Sequence, residues 1–196
     1  MIIAIGRSPL CEFIRDQNLN IITYPEFFDD KKLLLRGGVR EYITSLLRHY
    51  KQVKYALYPD YYYRDINLPQ QIAEKITFIY PVHKKSEVEF IEKLKSKYNI
   101  IPGFASDGKY REDYDIYWFV DTFKQEKKWY LGISTWRELR EAKRFNFFGG
   151  DITGFILGRH EDRKNPTTLS VKLKEIIEFA NRPYGEQLTL FNFLKK

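Results

Sequence analysis

The feature that most constrains this chain is an alternation of short, β-rich apolar runs with longer stretches of helical periodicity. Strand-length runs fall at 2–5, 20–24, 54–58, 76–82, 100–105, 129–133 and 145–148. Between them, Tyr42, Leu46, Leu47 and Tyr50 share one face of a helix predicted over 39–50, and Val88, Ile91, Leu94 and Lys95 keep helical spacing within 87–98. Further helices are expected at 9–16, 69–75, 136–144 (opened by the cap Ser134-Thr135) and 169–180. The aromatic stretch 114–124 reads as a helix because Ile116, Phe119, Val120 and Phe123 recur at spacings of 3, 4 and 7. Strands that alternate with helices are joined by right-handed crossovers into a parallel sheet. The expected fold is therefore α/β: a parallel (β/α) barrel of about seven strands, with an open doubly wound sheet as the alternative. At 196 residues the barrel would be reduced or incomplete.

One domain accounts for most of the length, a barrel-like unit over 1–182, followed by a tail over 183–196 that is expected to be flexible. The breaker Asn181-Arg182-Pro183-Tyr184-Gly185 marks the junction. A lone Cys11 permits neither an intramolecular disulfide nor a multi-cysteine zinc site, and His49, His83 and His160 lie far apart. No metal or cofactor is expected. No apolar run approaches the roughly 20 residues that cross a bilayer and no leader is evident, so a cytoplasmic protein is expected, with no membrane partner. A net charge of +7 favours polyanionic partners.

Polar residues follow the expected strand ends at Asp60, His83, Asp107, Ser134 and Asp151, and a barrel collects its chemistry at that rim. Breaking an N-glycosidic bond to a purine needs a carboxylate at the sugar C1′ and polar groups that grip the base edge. Asp151, after Gly149-Gly150, is the candidate carboxylate; Asp60 is placed to accept from the base, and His83 to move a proton at the leaving base. Gly103 and Ser106, with Asp107 beside them, would let the ring approach the backbone. Arg159 opens a charged cluster, 159–164, suited to phosphates, and Tyr61-Tyr62-Tyr63 could stack on an extruded base. Each residue also has a plainer reading: a turn or cap for Asp151, a turn for Asp60, a solvated loop for His83 and for the 159–164 cluster. Asp29-Asp30 and 113–115 read as solvated loops.

The stretch Lys128-Trp129-Tyr130-Leu131-Gly132-Ile133-Ser134-Thr135-Trp136, followed by Phe148-Gly149-Gly150-Asp151-Ile152-Thr153 and Gly158-Arg159, resembles the end of a tRNA-guanine transglycosylase barrel. Tyr55-Ala56-Leu57-Tyr58-Pro59-Asp60 is similar to the strand whose Asp recognises the base in that family, and Ile101-Pro102-Gly103-Phe104-Ala105-Ser106 to its base-cradling strand. The resemblance implies a carboxylate nucleophile at Asp151, reached by a two-residue shift from Gly149, and exchange or release of a guanine-type base, in DNA as in the DNA-acting transglycosylase-like proteins, with a tRNA-modifying enzyme as a third possibility. The family's Asp-Ser-Gly-Gly-Phe signature corresponds here to Tyr24-Pro25-Glu26-Phe27-Phe28, and its zinc-binding cysteines are absent.

The C-terminal stretch Gln187-Leu188-Thr189-Leu190-Phe191-Asn192-Phe193-Leu194-Lys195-Lys196 resembles the archaeal form of the peptide that docks on the sliding clamp (PCNA). That resemblance assigns Gln187 to a polar pocket and Leu190, Phe193 and Leu194 to an apolar plug, by a segment that folds into a groove. A last strand or helix packed on the core is the alternative. Together these features lead to the expectation of a DNA base transglycosylase or glycosylase recruited by the clamp. A non-catalytic clamp-binding or DNA-binding protein on an eroded barrel is the competing expectation.

Overall fold

The computed structural model describes residues 1–59 and 66–183. Asp60, Tyr61-Tyr62-Tyr63 and the whole clamp-like stretch, with Gln187, Leu190, Phe193 and Leu194, lie outside the described residues. The strands are β1 (Ile2–Ile5), β2 (Ile21–Thr23), β3 (Phe27–Phe28), β4 (Tyr55–Leu57), β5 (Thr77–Val82), β6 (Asn99–Ala105), β7 (Trp129–Ile133) and β8 (Gly149–Ile152). The α-helices are α1 (Cys11–Asp16), α2 (Lys31–His49), α3 (Gln70–Ala73), α4 (Val88–Lys95), α5 (Ile116–Thr122), α6 (Trp136–Arg144), α7 (His160–Lys164) and α8 (Pro166–Asn181).

All strand pairs are parallel, in the order β2-β1-β8-β7-β6-β5-β4-β3. The two end strands follow one another in the chain, so one extended passage from Ile21 to Phe28 lines β1 with its first half and β4 with its second. This passage nearly closes the sheet into a barrel. The expected parallel (β/α) barrel is present, with eight strands where about seven were expected.

Side chains alternate across each strand, and this produces two apolar layers. Ala4, Phe27, Ile79, Ile101 and Trp129, with Ile22, Tyr55, Leu57 and Leu131 against them, fill the barrel interior. Ile3, Phe28, Ala56, Phe78, Tyr80, Phe104 and Tyr130 face outward and pack under the helices, beside Leu46, Leu94, Phe119, Leu139 and Leu173. Trp129 is fully buried at the centre, stacked on Phe27 with ring centroids 5.4 Å apart and tilted against Tyr55 at 5.3 Å.

The helix expected from the periodicity of 114–124 forms as α5, capped by Asp115, which accepts from the Trp118 amide at 2.9 Å. At α6 the Thr135 cap belongs to a full capping box: its hydroxyl accepts from Glu138 N at 3.2 Å, while Glu138 accepts from Thr135 N at 2.9 Å. Other expectations need correction. The run 145–148 is not a strand; β8 begins at Gly149. Glycine has poor strand propensity, but here bulk is excluded: a Cβ on Gly149 would stand 2.7 Å from Trp129 Cε3, and one on Gly150 2.6 Å from Ile133 Cδ1. The polar stretch expected as a loop before residue 39 is helical from Lys31, because Asp30 Oδ1 caps it by accepting from Leu33 N at 3.1 Å. That helix breaks at Gly38, whose φ of 76° and ψ of −172° are outside the helical region. The charged cluster 159–164 forms the short helix α7 rather than a loop.

Candidate functional site

The alternation that fills the interior also sets what stands at its mouth. On β8, Gly149 and Asp151 face inward while Gly150 and Ile152 face outward; one residue beyond β3, Asp29 continues the inward phase of Phe27. A cleft of about 1010 Å³ opens there, at the C-terminal ends of β1, β3 and β8, and both carboxylates line it.

Asp151 is gripped from two sides. Its Oδ1 accepts from Trp129 Nε1 at 3.2 Å, and its Oδ2 accepts from Gly132 N at 3.0 Å. The second contact depends on an irregularity in β7, where register with β8 shifts between Tyr130 and Ile133 and Gly132 adopts φ +76°. Only glycine takes that conformation readily, so the bulge directs the amide at the carboxylate. Asp29 lies against Gly6, where a Cβ would stand 2.9 Å from its Cβ and Oδ2. Its Oδ1 is closed off from solvent and has no hydrogen-bond partner. The Thr153 hydroxyl, also lining the cleft, is similarly enclosed and unpartnered.

Burial raises both carboxyls well above the usual aspartate range. Desolvation pushes Asp29 up to about 6, opposed by the amide and charge of Lys31. Desolvation, then the nearby charge of Asp29, pushes Asp151 up to about 7, opposed by its hydrogen bonds from Gly132 and Trp129. The charge of Asp29 opposes ionisation of Asp151, and both acids titrate close to neutral pH.

Cations surround the pair. Arg7, Lys31, Lys32, Arg36 and Arg163 line the cleft with Asp30. Arg7 binds Asp30 at 2.5 Å, and that aspartate is only 5% exposed. Lys31 donates to the Tyr110 hydroxyl at 2.9 Å, and Arg163 covers Gly154. Two half-buried carboxylates within a cationic mouth can exchange a proton and stabilise a developing positive charge, while the cations can hold a phosphate-bearing ligand. Among the described residues no group of three or more His, Cys, Asp or Glu could hold a metal ion.

Among the described residues singled out in the sequence as site candidates, Asp151 lines this cleft, as does Arg163 of the charged cluster 159–164. Asp151 is half-buried within a strand rather than exposed after a turn. The ring of His83 meets Tyr110 O at 2.8 Å through Nδ1, and its backbone amide donates to Glu87. Gly103 is packed inside the barrel, where a Cβ would meet Leu131 and Ile79. Ser106 donates to Gly132 O at 2.9 Å and so supports the bulge from behind Asp151. Asp107 caps a short turn by accepting from Lys109 N at 3.0 Å, and Arg159 occupies the N-cap position of α7, where its backbone amide donates to Asp162 Oδ2 at 2.9 Å, one turn before Arg163. Glu26, aligned with the transglycosylase signature, pairs with Lys54 at 2.6 Å on the surface.

The carboxylate that sequence reasoning missed is Asp29, three residues further on. Asp29 and Asp30 are not a solvated loop: Asp30 is buried and Asp29 has an enclosed oxygen. The available signal was the pattern Phe27-Phe28-Asp29-Asp30, an inward aromatic two residues before an inward acid, with a helix cap next.

No family model matches the chain. The chain is 76% identical over 191 residues to the "Uncharacterized protein ORF192" of Acidianus two-tailed virus, covering 97% of this chain and 98% of that protein. It belongs to the ORF192 family. Among solved structures, one titled "Structural study of Project ID from Aquifex aeolicus VF5" has a TM-score of 0.49 and 18% identity; it covers 87% of this chain, which spans 66% of that one. Among the described residues of this ORF192 family member, no helix is long and apolar enough to cross a membrane.

Proposed function

We propose that this protein cleaves or exchanges the N-glycosidic bond of a nucleoside unit in DNA, using Asp29 and Asp151 as its acid–base pair. The observation that carries this reading is the placing of two inward, half-buried carboxylates in a mouth rimmed by Arg7, Lys32, Arg36 and Arg163. Glycosidic cleavage passes through an oxocarbenium-like transition state and needs one carboxyl protonated and one ionised. In this reading Asp29 faces C1′ as carboxylate; Asp151 donates its proton to the base nitrogen as the C1′–N electron pair leaves with the base. Water or an incoming base then takes the sugar carbon and returns a proton to Asp151. The cations hold the flanking phosphates.

The choice of a guanine-type base rests on the resemblance of residues 128–159 to the transglycosylases. Recruitment by the sliding clamp rests on Gln187, Leu190, Phe193 and Leu194 of the tail. The test is incubation of single-stranded and duplex DNA with free 7-deazaguanine bases, followed by nucleoside mass spectrometry and abasic-site detection. Exchange or release by the native protein, lost in both Asp29→Asn and Asp151→Asn, is the expected result. Neither product on any substrate would overturn the reading and leave a non-catalytic DNA-binding protein.

A further inference from the structure

Helix α2 carries Lys32, Arg36, Arg40, Thr44 and Arg48 at a constant spacing of four, and all five are exposed. Within each of the two helical segments that meet at Gly38, that spacing keeps successive side chains on neighbouring turns of one face. None of the four cations on this stripe has an ion-pair partner among the described residues. The first two line the carboxylate cleft, whereas Arg40, Thr44 and Arg48 line a second depression of about 470 Å³ with Glu41, Ser45 and His49. Arg7 and Leu33 line both, so the two hollows adjoin. The break at Gly38 falls between Arg36, which lines the first hollow, and Arg40, which lines the second.

A second observation is independent of charge. Phe155 is 82% exposed, immediately after the cleft-lining Thr153-Gly154 on the connection leaving β8. A large aromatic side chain held in water at the lip of a cleft is a platform without a partner.

We infer that a single nucleic-acid strand runs along the α2 stripe into the barrel mouth, its phosphates on Arg36, Arg40 and Arg48 and a base stacked on Phe155. This rests on the reading of the mouth as a nucleoside site, and it names a polymeric strand rather than a free nucleotide as the ligand. Cations at regular intervals suit a repeating phosphate backbone, and an exposed aromatic ring suits any base face. The carboxylates are half-buried among the cations of the barrel mouth, a setting that an unpaired base enters more readily than one held in a duplex.

The experiment measures binding of a fluorescent oligodeoxynucleotide, in single-stranded and duplex form, across a salt series, using the full chain. Arg40→Ala with Arg48→Ala is expected to weaken single-strand binding and flatten the slope of log Kd against log salt by about 0.7 for each phosphate that is no longer neutralised. Phe155→Ala is expected to weaken it roughly tenfold with the slope unchanged, since stacking releases no counterions. These side chains are exposed, and an unchanged thermal midpoint checks that each variant is folded. Duplex bound more tightly than single strand, wild-type affinity and slope in the Arg variants, or equal binding to polyglutamate or phosphatidylserine vesicles would each overturn the inference. Native protein that releases base from a mononucleotide but binds no oligonucleotide would overturn it and leave the glycosidic reading intact. Strand binding that depends on α2 and Phe155, without turnover of any substrate, would sustain it and remove that reading.

Discussion

The indole nitrogen of Trp129 donates to Oδ1 of Asp151 across 3.2 Å, which ties a fully buried aromatic of the barrel interior to the carboxylate at its mouth. The same ring stacks on Phe27, two residues before Asp29. One side chain thus sets the floor beneath both acids. Trp129→Phe should keep most of the apolar fill but remove a donor that favours ionised Asp151. The Asp151 carboxyl should then titrate above about 7, its native position. Carboxyl-carbon NMR of native and variant protein would measure the shift, and titration at or below the native position would contradict the assigned contact.

Both acids have folded values above the unfolded ones, so the folded state holds their protons more tightly. Their contribution to stability is fully present below the unfolded value, roughly pH 4, and is lost as pH rises through about 6 and about 7. Urea unfolding should therefore show native stability declining from pH 5 to pH 8 on account of this pair. Asp151→Asn, which cannot ionise, should flatten that decline and be the more stable protein at pH 8, by on the order of 1–3 kcal/mol. A variant with the native pH slope would show that burial at this position costs nothing.

Activity should follow a narrow bell-shaped profile, with apparent limbs near about 6 and about 7 that belong to the pair. Asp29→Asn and Asp151→Asn should each remove turnover while oligonucleotide binding survives. His83→Ala should leave the profile unchanged, because its ring is engaged with Tyr110 O and it does not line the cleft. A loss of roughly 10²–10⁴-fold in His83→Ala would instead be the mark of a general acid–base and would restore the role expected from the sequence.

Replacing Phe193 and Leu194 by Ala should abolish binding to a sliding clamp in a pull-down or calorimetric titration while leaving the thermal midpoint almost unchanged. Plug residues of this kind contribute to an interface rather than to the core. A midpoint lowered by several degrees would show that these side chains pack on the barrel.

Local patterns in the sequence were enough for the parallel (β/α) architecture, for α5, for α6 with its cap, and for Asp151 as a residue near a strand end, whereas Asp115, the cap of α5, read as a solvated loop. Strand alternation and capping chemistry act over a few residues, so they are written in neighbouring positions. Tertiary structure decided that Gly149-Gly150-Asp151 is a strand, because the space those glycines leave is filled by Trp129, twenty residues earlier, and by Ile133. It also decided the partner of Asp151. Asp29 is 122 positions away and meets it only because β1 pairs with both β2 and β8, while the passage through β2 and β3 carries Asp29 back to the mouth. No local pattern encodes a meeting across the barrel axis, since the distance between such residues is set by how the sheet curls.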